Sequence, residues 1–547
     1  MTRKFLVLIA GFALFLTACS ESVEVTVKMD SEAIGEAAIK PNVLLVMVDD
    51  MGFSDIGPYG SEVATPTLDR LADEGMRFNN FHNTSKCFPT RAALMTGQYA
   101  QRVGMSTSPT ATFRNHATLG DVLRTAGYKT LMVGKHHALD NPYDMGFDHY
   151  WGMRDGAANH FNPGYQREGE AFPAQKRQHQ RVFCFDAKCV QPFTPDSKDY
   201  YTTDTFTDWA IELLGRHEAD NDEQPFFLYL AYTAPHDPIQ AWPEDIAKYE
   251  GLYDDGYEPI AQARYERQLE LGIIDAETHK RSEPMHQDWD ELSLEMKVEE
   301  AQTMEVYSAM IDSLDQNLGR LFAYLEESGE MDDTLIMFLS DNGASAEVVD
   351  IGDGEIGAID RWASIDGNWA NVSNVPFKAY KNSSFEGGTN TPFIVRWPGT
   401  VPAGGEVNRT PAHLVDIMAT VVDISGATYP DTSPRGEAVG SMDGVSLMPA
   451  FTEGTVARGK PMFFEWRGGL AVIDGGWKLV KQKVRPQDAE TGLWDFSTQE
   501  WELYNLEIDA TELNNLAGSE PEKLAEMVAK YEDWWSQVVP LVEAADE

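Results

Sequence analysis

The sequence predicts a doubly wound α/β domain with a mostly parallel sheet, followed by a smaller C-terminal antiparallel sheet plus helix. Three observations carry this. Five apolar runs lack period-2 alternation, as strands buried on both faces do. Helical patterns lie between them, and alternation of strand and helix points to helices on both sides of one sheet. From about residue 405 the pattern changes to short runs broken by tight turns.

In chain order, "MTRKFLVLIAGFALFLTACSES" comes first. Arg3 and Lys4 precede an apolar stretch from Phe5 to Leu16, too short for a comfortable membrane span and suited to a cleaved export signal. Leu16-Thr17-Ala18-Cys19 resembles a bacterial lipobox, in which the cysteine receives lipid; ordinary signal cleavage nearby is the alternative. Residues 1–19 are thus expected to be a lipoprotein signal peptide and lipobox, and 20–40 a tether. The protein is then exported, to the periplasm or the outer-membrane surface, and meets the membrane only through the anchor at Cys19.

The strands follow as "NVLLVMV" (42–48), "KTLMV" (129–133), "PFFLYLAY" (225–232), "TLIMFLS" (334–340) and "PFIVRW" (392–397), all read as buried and parallel. "TPTLDRLADEGM" reads as a helix that starts at Thr65-Pro66 and breaks at Gly75. "PTRAALMTG", "TLGDVLRTAG" and the long "EVYSAMIDSLDQNLGRLFAYLEESG" are also helical. Residues 155–200 and 346–376 are rich in Gly, Asn and Asp and aperiodic, which suits loops over one end of the sheet. The charged stretch "WPEDIAKYEGLYDDGYEPIAQARYERQLELG" reads as a solvated helical face. Residues 41–405 form the main α/β domain in this reading. Residues 406–547 form an α+β subdomain, with a turn at Gly475-Gly476 and a terminal helix in "PEKLAEMVAKYEDWWSQV".

Lys and Arg number 43 against 88 Asp and Glu, a net charge of −45. Such a surface repels nucleic acid and suits a saline medium, where screening makes dense carboxylates tolerable. A hydrophobic content of 42% excludes a disordered chain. Of four cysteines, Cys19 goes to lipid. Cys184 and Cys189, five apart in an oxidising compartment, are expected to form a local disulfide, two free thiols being the alternative. Cys87 is left over.

The chemistry collects where strands end. The first run gives Asp49-Asp50, the second Gly134-Lys135-His136-His137, the third Pro235-His236, and the fourth Asp341-Asn342-Gly343. Ligands of open parallel sheets bind beyond the carboxyl ends of the strands. Asp49, Asp50, Asp341 and Asn342 offer only oxygen, which suits a hard cation, Ca²⁺ before Mg²⁺. Arg91, Lys135, His137 and His236 add positive charge and proton donors. A metal beside several cations calls for an anionic substrate, a sulfate or phosphate ester. Cys87 lies at or just before a helix N-terminus, because Pro89 suits a first helical turn.

Cys87-Phe88-Pro89-Thr90-Arg91, followed by Met95-Thr96-Gly97, resembles the C-x-P-x-R…T-G signature of type I sulfatases, closest to the bacterial arylsulfatases. "VMVDDMGFSDIGPYG", "GKHHAL", "YTAPHDPIQ", "LSDNGA", "KNSSFEGGTNTPFIVRWPG", "GGWKLV" and "WELYNL" fall in the family's order. The resemblance implies an alkaline-phosphatase-like fold and conversion of Cys87 to formylglycine by a formylglycine-generating or radical maturation enzyme. The hydrate of that aldehyde would be the nucleophile. It also implies one calcium held by Asp49, Asp50, Asp341, Asn342 and residue 87. Arg91 would hold the aldehyde hydrate, His137 and Lys135 match the G-K-x-H pair, and His236 matches the P-H after the third strand. Lys381 matches the sulfate-binding lysine, with Lys378 as the alternative. Phe88 replaces a small polar residue, Met95 a leucine and His136 a tryptophan. The implied function is hydrolysis of sulfate monoesters, arylsulfatase-like, on a sulfated small molecule or glycan. Phosphonate monoester or phosphodiester hydrolysis is the alternative of the same superfamily. An inactive glycan-binding surface lipoprotein is the alternative of another class.

Overall fold

In the described residues strand β1 (Asn42–Asp49) is buried along all its length, which is why its sequence shows no alternation. The computed structural model describes residues 40–176, 181–220, 224–482 and 500–546. Cys19, the signal segment and all of the tether but Lys40 lie outside the described residues.

Sixteen strands are present among them: β1 (Asn42–Asp49), β2 (Met76–Phe78), β3 (Phe81–His82), β4 (Lys129–Gly134), β5 (His149–Met153), β6 (Phe183–Phe185), β7 (Lys188–Val190) and β8 (Phe226–Pro235). They continue as β9 (Thr334–Ser340), β10 (Phe393–Arg396), β11 (Glu406–Asn408), β12 (Ala412–His413), β13 (Met462–Trp466), β14 (Gly469–Asp474), β15 (Trp477–Lys481) and β16 (Glu502–Asn505). Ten form one sheet in the order β11-β2-β10-β9-β1-β8-β4-β5-β6-β7. Its middle, β9-β1-β8-β4-β5, is parallel throughout.

Alternate residues of β1 serve opposite faces. Leu44, Val46 and Val48 join a core with Met304, Met310 and Leu314 of the helix Leu294–Ser328. Val43, Leu45 and Met47 join another with Leu94, Leu123 and Ile417, from the helices Cys87–Thr96, Leu119–Thr125 and Asp416–Ser425. Thr118 and Asp121 close a reciprocal capping box at the second of these. Ser293 caps the long helix, and Gly329, at φ 83°, ends it.

Four sequence expectations need correction. β10, read as parallel, runs antiparallel to both β9 and β2. The chain leaves β9 at its carboxyl end and β10 starts beside that same end, with Phe393 opposite Leu339 and Arg396 opposite Ile336. The stretch 155–200 is not all loop: β6 and β7 form an edge hairpin around Asp186, which takes a left-handed φ of 54°. Cys184 and Cys189 oppose each other in that hairpin and are disulfide-bonded. Residues 346–376 likewise include the helix Asp366–Ser373. Finally, β11 pairs with β2, and Ile417 and Val421 lie in the core of the large sheet. The segment just past residue 405 therefore goes with the large sheet.

β13 to β16 form an antiparallel sheet in sequential order. The helix Pro521–Asp546 lies on it, with Phe463 and Trp534 stacked at 4.8 Å.

Candidate active site

Parallel register lays the functional strand ends side by side. Asp49 pairs with Pro235, Val48 with Ser340, and Gly134 with Ala231. The residues that follow these positions therefore meet at one edge. Asp50 and His137 turn out of their strands with φ of 67° and 66°. At Gly134, φ 104°, a Cβ would lie 2.0 Å from the Ala231 carbonyl oxygen, so only glycine lets β4 approach β8 there.

Cys87 is the first residue of its helix and is 1% exposed. Its Sγ lies 3.6 Å from Asp50 Oδ1. Asp49, Asp50, Cys87 and His236 each offer one ligand atom within 4.8 Å of the others. Asn342 Nδ2 donates to Asp50 Oδ1 at 2.7 Å. Asp49 Oδ1 and Asn342 Oδ1 are buried and make no hydrogen bond. Two buried oxygens left without donors, next to a carboxylate pair, fit a hard cation. Asp341, expected in the same ligand set, accepts from Arg91 Nε at 3.1 Å, Arg91 Nη2 at 2.9 Å and the Asp50 amide at 3.2 Å. His236, expected as a proton donor, also stands in the converging group.

Cations surround the carboxylates. Lys135 Nζ pairs with Asp49 Oδ2. Arg91 also donates to the Lys135 carbonyl at 3.1 Å. Lys381 Nζ lies 2.6 Å from Asp50 Oδ2. Lys378 instead rests over the Phe385 ring at 3.9 Å. His136, in the place of the tryptophan, stacks on Phe113 and takes no part in the cluster.

These charges set the protonation states. Burial works against an ionised Asp49, yet Lys135, His236 and Arg91 outweigh it and hold its carboxyl well below the usual range. Burial and the neighbouring Asp49 push Asp341 up. Burial also raises the Cys87 thiol, against the pull of Lys381 and Lys135. For His236, burial is outweighed by Asp50, Asp237 and Asp49, and its pKa rises well above the ordinary value. For His137, burial and Lys135 act together and depress it. The charged form is thus favoured at His236 and the neutral form at His137.

Several contributors were not read from sequence. Asp237 Oδ1 lies 2.7 Å from His236 Nδ1, and its Oδ2 accepts from Trp362 Nε1 at 2.7 Å and Ser364 Oγ at 3.0 Å. The adjacency His236-Asp237 was a signal for it. Glu347 accepts from Lys86 at 2.8 Å and sits 3.9 Å from Lys381. Arg264 corrects the reading of its helix as a solvated face. Its fully buried guanidinium pairs with Asp55 at 2.7 Å and Glu62 at 2.8 Å. Asp55 in turn accepts from Tyr307, whose hydroxyl lies 3.1 Å from the Asp50 carbonyl oxygen. A lone buried arginine among exposed charges leaves no periodic trace.

Sheet and site together define the class: an α/β protein whose parallel strands end at a buried, cation-rimmed cluster, Cys87 included, that could hold a metal. Residues 41–427 match the family model described as Sulfatase. The chain belongs to the sulfatase family, and sulfate ester hydrolysis is its activity. It is 32% identical over 439 residues to the arylsulfatase of Klebsiella aerogenes, covering 75% of this chain and 91% of that one. An uncharacterized sulfatase of Schizosaccharomyces pombe is 32% identical over 537 residues, with 89% and 92% covered. The solved structure of Ps i-CgsB with k-i-k-neocarrahexaose superposes with a TM-score of 0.63 at 26% identity, over 90% of this chain and 92% of that one. The phosphonate monoester hydrolase of Agrobacterium radiobacter shares the fold, with a TM-score of 0.57 at 19% identity and 91% and 96% covered.

Proposed function

We propose that the chain is an exported, lipid-anchored sulfatase that hydrolyses sulfate monoesters of glycans, using calcium and a formylglycine made from Cys87. The carrying observation is the buried cluster of Asp49, Asp50, Cys87 and His236, with one oxygen of Asp49 and one of the adjoining Asn342 left without a hydrogen bond. Asp49, Asp50, Asp341, Asn342 and residue 87 would hold the cation. Together, the bound cation and the hydrated aldehyde supply an acidified hydroxyl nucleophile and neutralise charge on the sulfate.

The chain's own residues do the rest. Lys381 binds and neutralises a sulfate oxygen. Arg91 fixes Asp341 and ties it to the Lys135 carbonyl, so the carboxylates keep their places as charge moves. His236 donates its Nε2 proton to the ester oxygen as the S–O bond breaks, with Asp237 orienting the ring. His137, kept neutral, accepts a proton at residue 87. Water supplies the oxygen that leaves with sulfate.

Support for a sugar substrate comes from relatives. N-acetylgalactosamine-6-sulfatase of Homo sapiens is 26% identical over 498 residues, and Ps i-CgsB, solved with k-i-k-neocarrahexaose, has the same identity. Export and lipidation rest on Arg3, Lys4, the apolar run and Cys19. A maturation enzyme in the same host then makes the formylglycine.

Chelation followed by add-back of single ions tests the metal, with Ca²⁺ expected to restore turnover. A panel of aryl and sugar sulfates tests the substrate, with a sugar sulfate expected to be cleaved most efficiently. Full activity after exhaustive chelation, or turnover of aryl sulfates alone, contradicts this reading. Cys19→Ser is expected to release the protein from the membrane fraction.

A further inference from the structure

We infer that Trp466, on the C-terminal sheet, is a positioning residue that holds the segments carrying residue 87 and Lys381 in one arrangement. The inference rests on the reading of Lys381 as the sulfate-binding group. Trp466 ends β13, is 3% exposed, and lies beyond the residues 41–427 that match the family.

Besides the Arg467 guanidinium over its ring at 4.9 Å, its indole makes two contacts toward the site. The ring meets Phe88 edge to face, with centroids 5.1 Å apart and planes at 79°. Phe88 follows Cys87 directly, and on its other side meets His137 at 5.9 Å. The indole N–H donates to Asn382 Oδ1 at 3.0 Å. Asn382 follows Lys381 directly.

Asn382 sits in the left-handed region, φ 71°, where an L-residue needs its surroundings to hold it. Its amide donates to the Ser85 carbonyl at 2.9 Å, two residues before Cys87. Gln482, just past β15, donates to the Asn382 carbonyl at 3.3 Å and accepts from the Ser384 amide at 2.9 Å. Lys381 itself is anchored by its amide on the Ala344 carbonyl at 3.0 Å. Its long side chain turns any backbone rotation at Asn382 into displacement of the ammonium. Phe88 adds a second reason. Where the motif commonly has a small polar residue, this chain has a ring, and Trp466 supplies its wall. One side chain of the small sheet therefore touches the sequence neighbour of both residue 87 and Lys381.

KM and the inhibition constant of inorganic sulfate test this, because neither depends on the fraction of active molecules. Trp466→Phe keeps a ring against Phe88 and removes the indole N–H. Trp466→Phe and Asn382→Ala are each expected to raise KM for 4-nitrophenyl sulfate and Ki for sulfate about three- to tenfold, the range of one hydrogen bond. The double variant is expected to be no worse than either single, because the two changes remove the same bond. Trp466→Leu also removes the wall and is expected to lower kcat in addition. A merely structural Trp466 lowers Tm and yield but leaves KM and Ki alone. Soluble, folded Trp466→Phe with both constants unchanged overturns the inference, even if Trp466→Leu does not fold. Lys381→Ala is the reference: an unchanged sulfate Ki there overturns the assignment of Lys381, separately from the link through Trp466.

Discussion

Lys381 and Asp50, 331 positions apart in the chain, meet with Nζ 2.6 Å from Oδ2. The ammonium is fully buried, and burial opposes its charge. Asp50, the Cys87 side chain and Glu347 outweigh that and raise its pKa well above the ordinary lysine value. A cation so placed is ready for a sulfate oxygen without reorganising. Lys381→Ala is expected to lower kcat/KM about 10²- to 10³-fold, as loss of one charged stabilising group does. Lys381→Arg is expected to rescue little, since a planar fork does not fit a buried point-charge site. Steady-state kinetics on both variants checks this.

The charged state of His236 predicts a leaving-group effect. A proton delivered to the departing oxygen matters most when that oxygen is a poor leaving group. His236→Gln and Asp237→Asn are expected to lose much more rate on a sugar sulfate than on 4-nitrophenyl sulfate. Equal losses on the two substrates contradict the role of His236 as the acid.

Behind the site, Arg264 neutralises Asp55 and Glu62 and so supports Tyr307 under Asp50. Arg264→Met leaves two acids without their cation. The expected cost is about 3–5 kcal/mol of stability, the usual penalty for breaking a buried pair. Denaturant titration measures it. Arg264→Met together with Asp55→Asn and Glu62→Gln is expected to recover part of the loss.

Glu300 and Asp366 predict a pH dependence of stability. Burial and the neighbouring Asp366 push Glu300 up to about 8, and burial pushes Asp366 up to about 6 against its hydrogen bonds with Asn368 and Glu300. The folded state then keeps protons that the unfolded chain has released, so stability from this pair is lost as pH rises between about pH 5 and pH 8. Glu300→Gln is expected to raise Tm by about 1–3 °C at pH 8 and to flatten that slope. A lower Tm at pH 8, with the slope kept, sinks the argument.

How legible all this was follows from how far each feature spans. The central strands showed in sequence because a run such as Val43–Val48 is buried on both faces, and burial on both faces is a local pattern. The direction of β10 did not show, because it depends on which edge a connection of some fifty residues returns from. The chemistry at Asp49, Lys135, His236 and Asp341 was legible because each sits at or just past the end of a readable strand. Asp237 shows only as the residue next to His236, and Glu347 does not show, since folding alone brings it to Lys86 and Lys381. Arg264 was hidden for the opposite reason: its local composition is that of an exposed helix, and only the acids at 55 and 62 make burial possible.

The central claim is that residue 87 turns over sulfate esters as an aldehyde beside an oxygen-bound cation. The most direct measurement is mass spectrometry of the peptide spanning residue 87, from protein made in hosts with and without a maturation enzyme, against the specific activity of the same samples. Activity is expected to rise in proportion to the formylglycine content and to vanish in Cys87→Ala. Protein that cleaves sulfate esters at full rate with an intact thiol at position 87 contradicts the account.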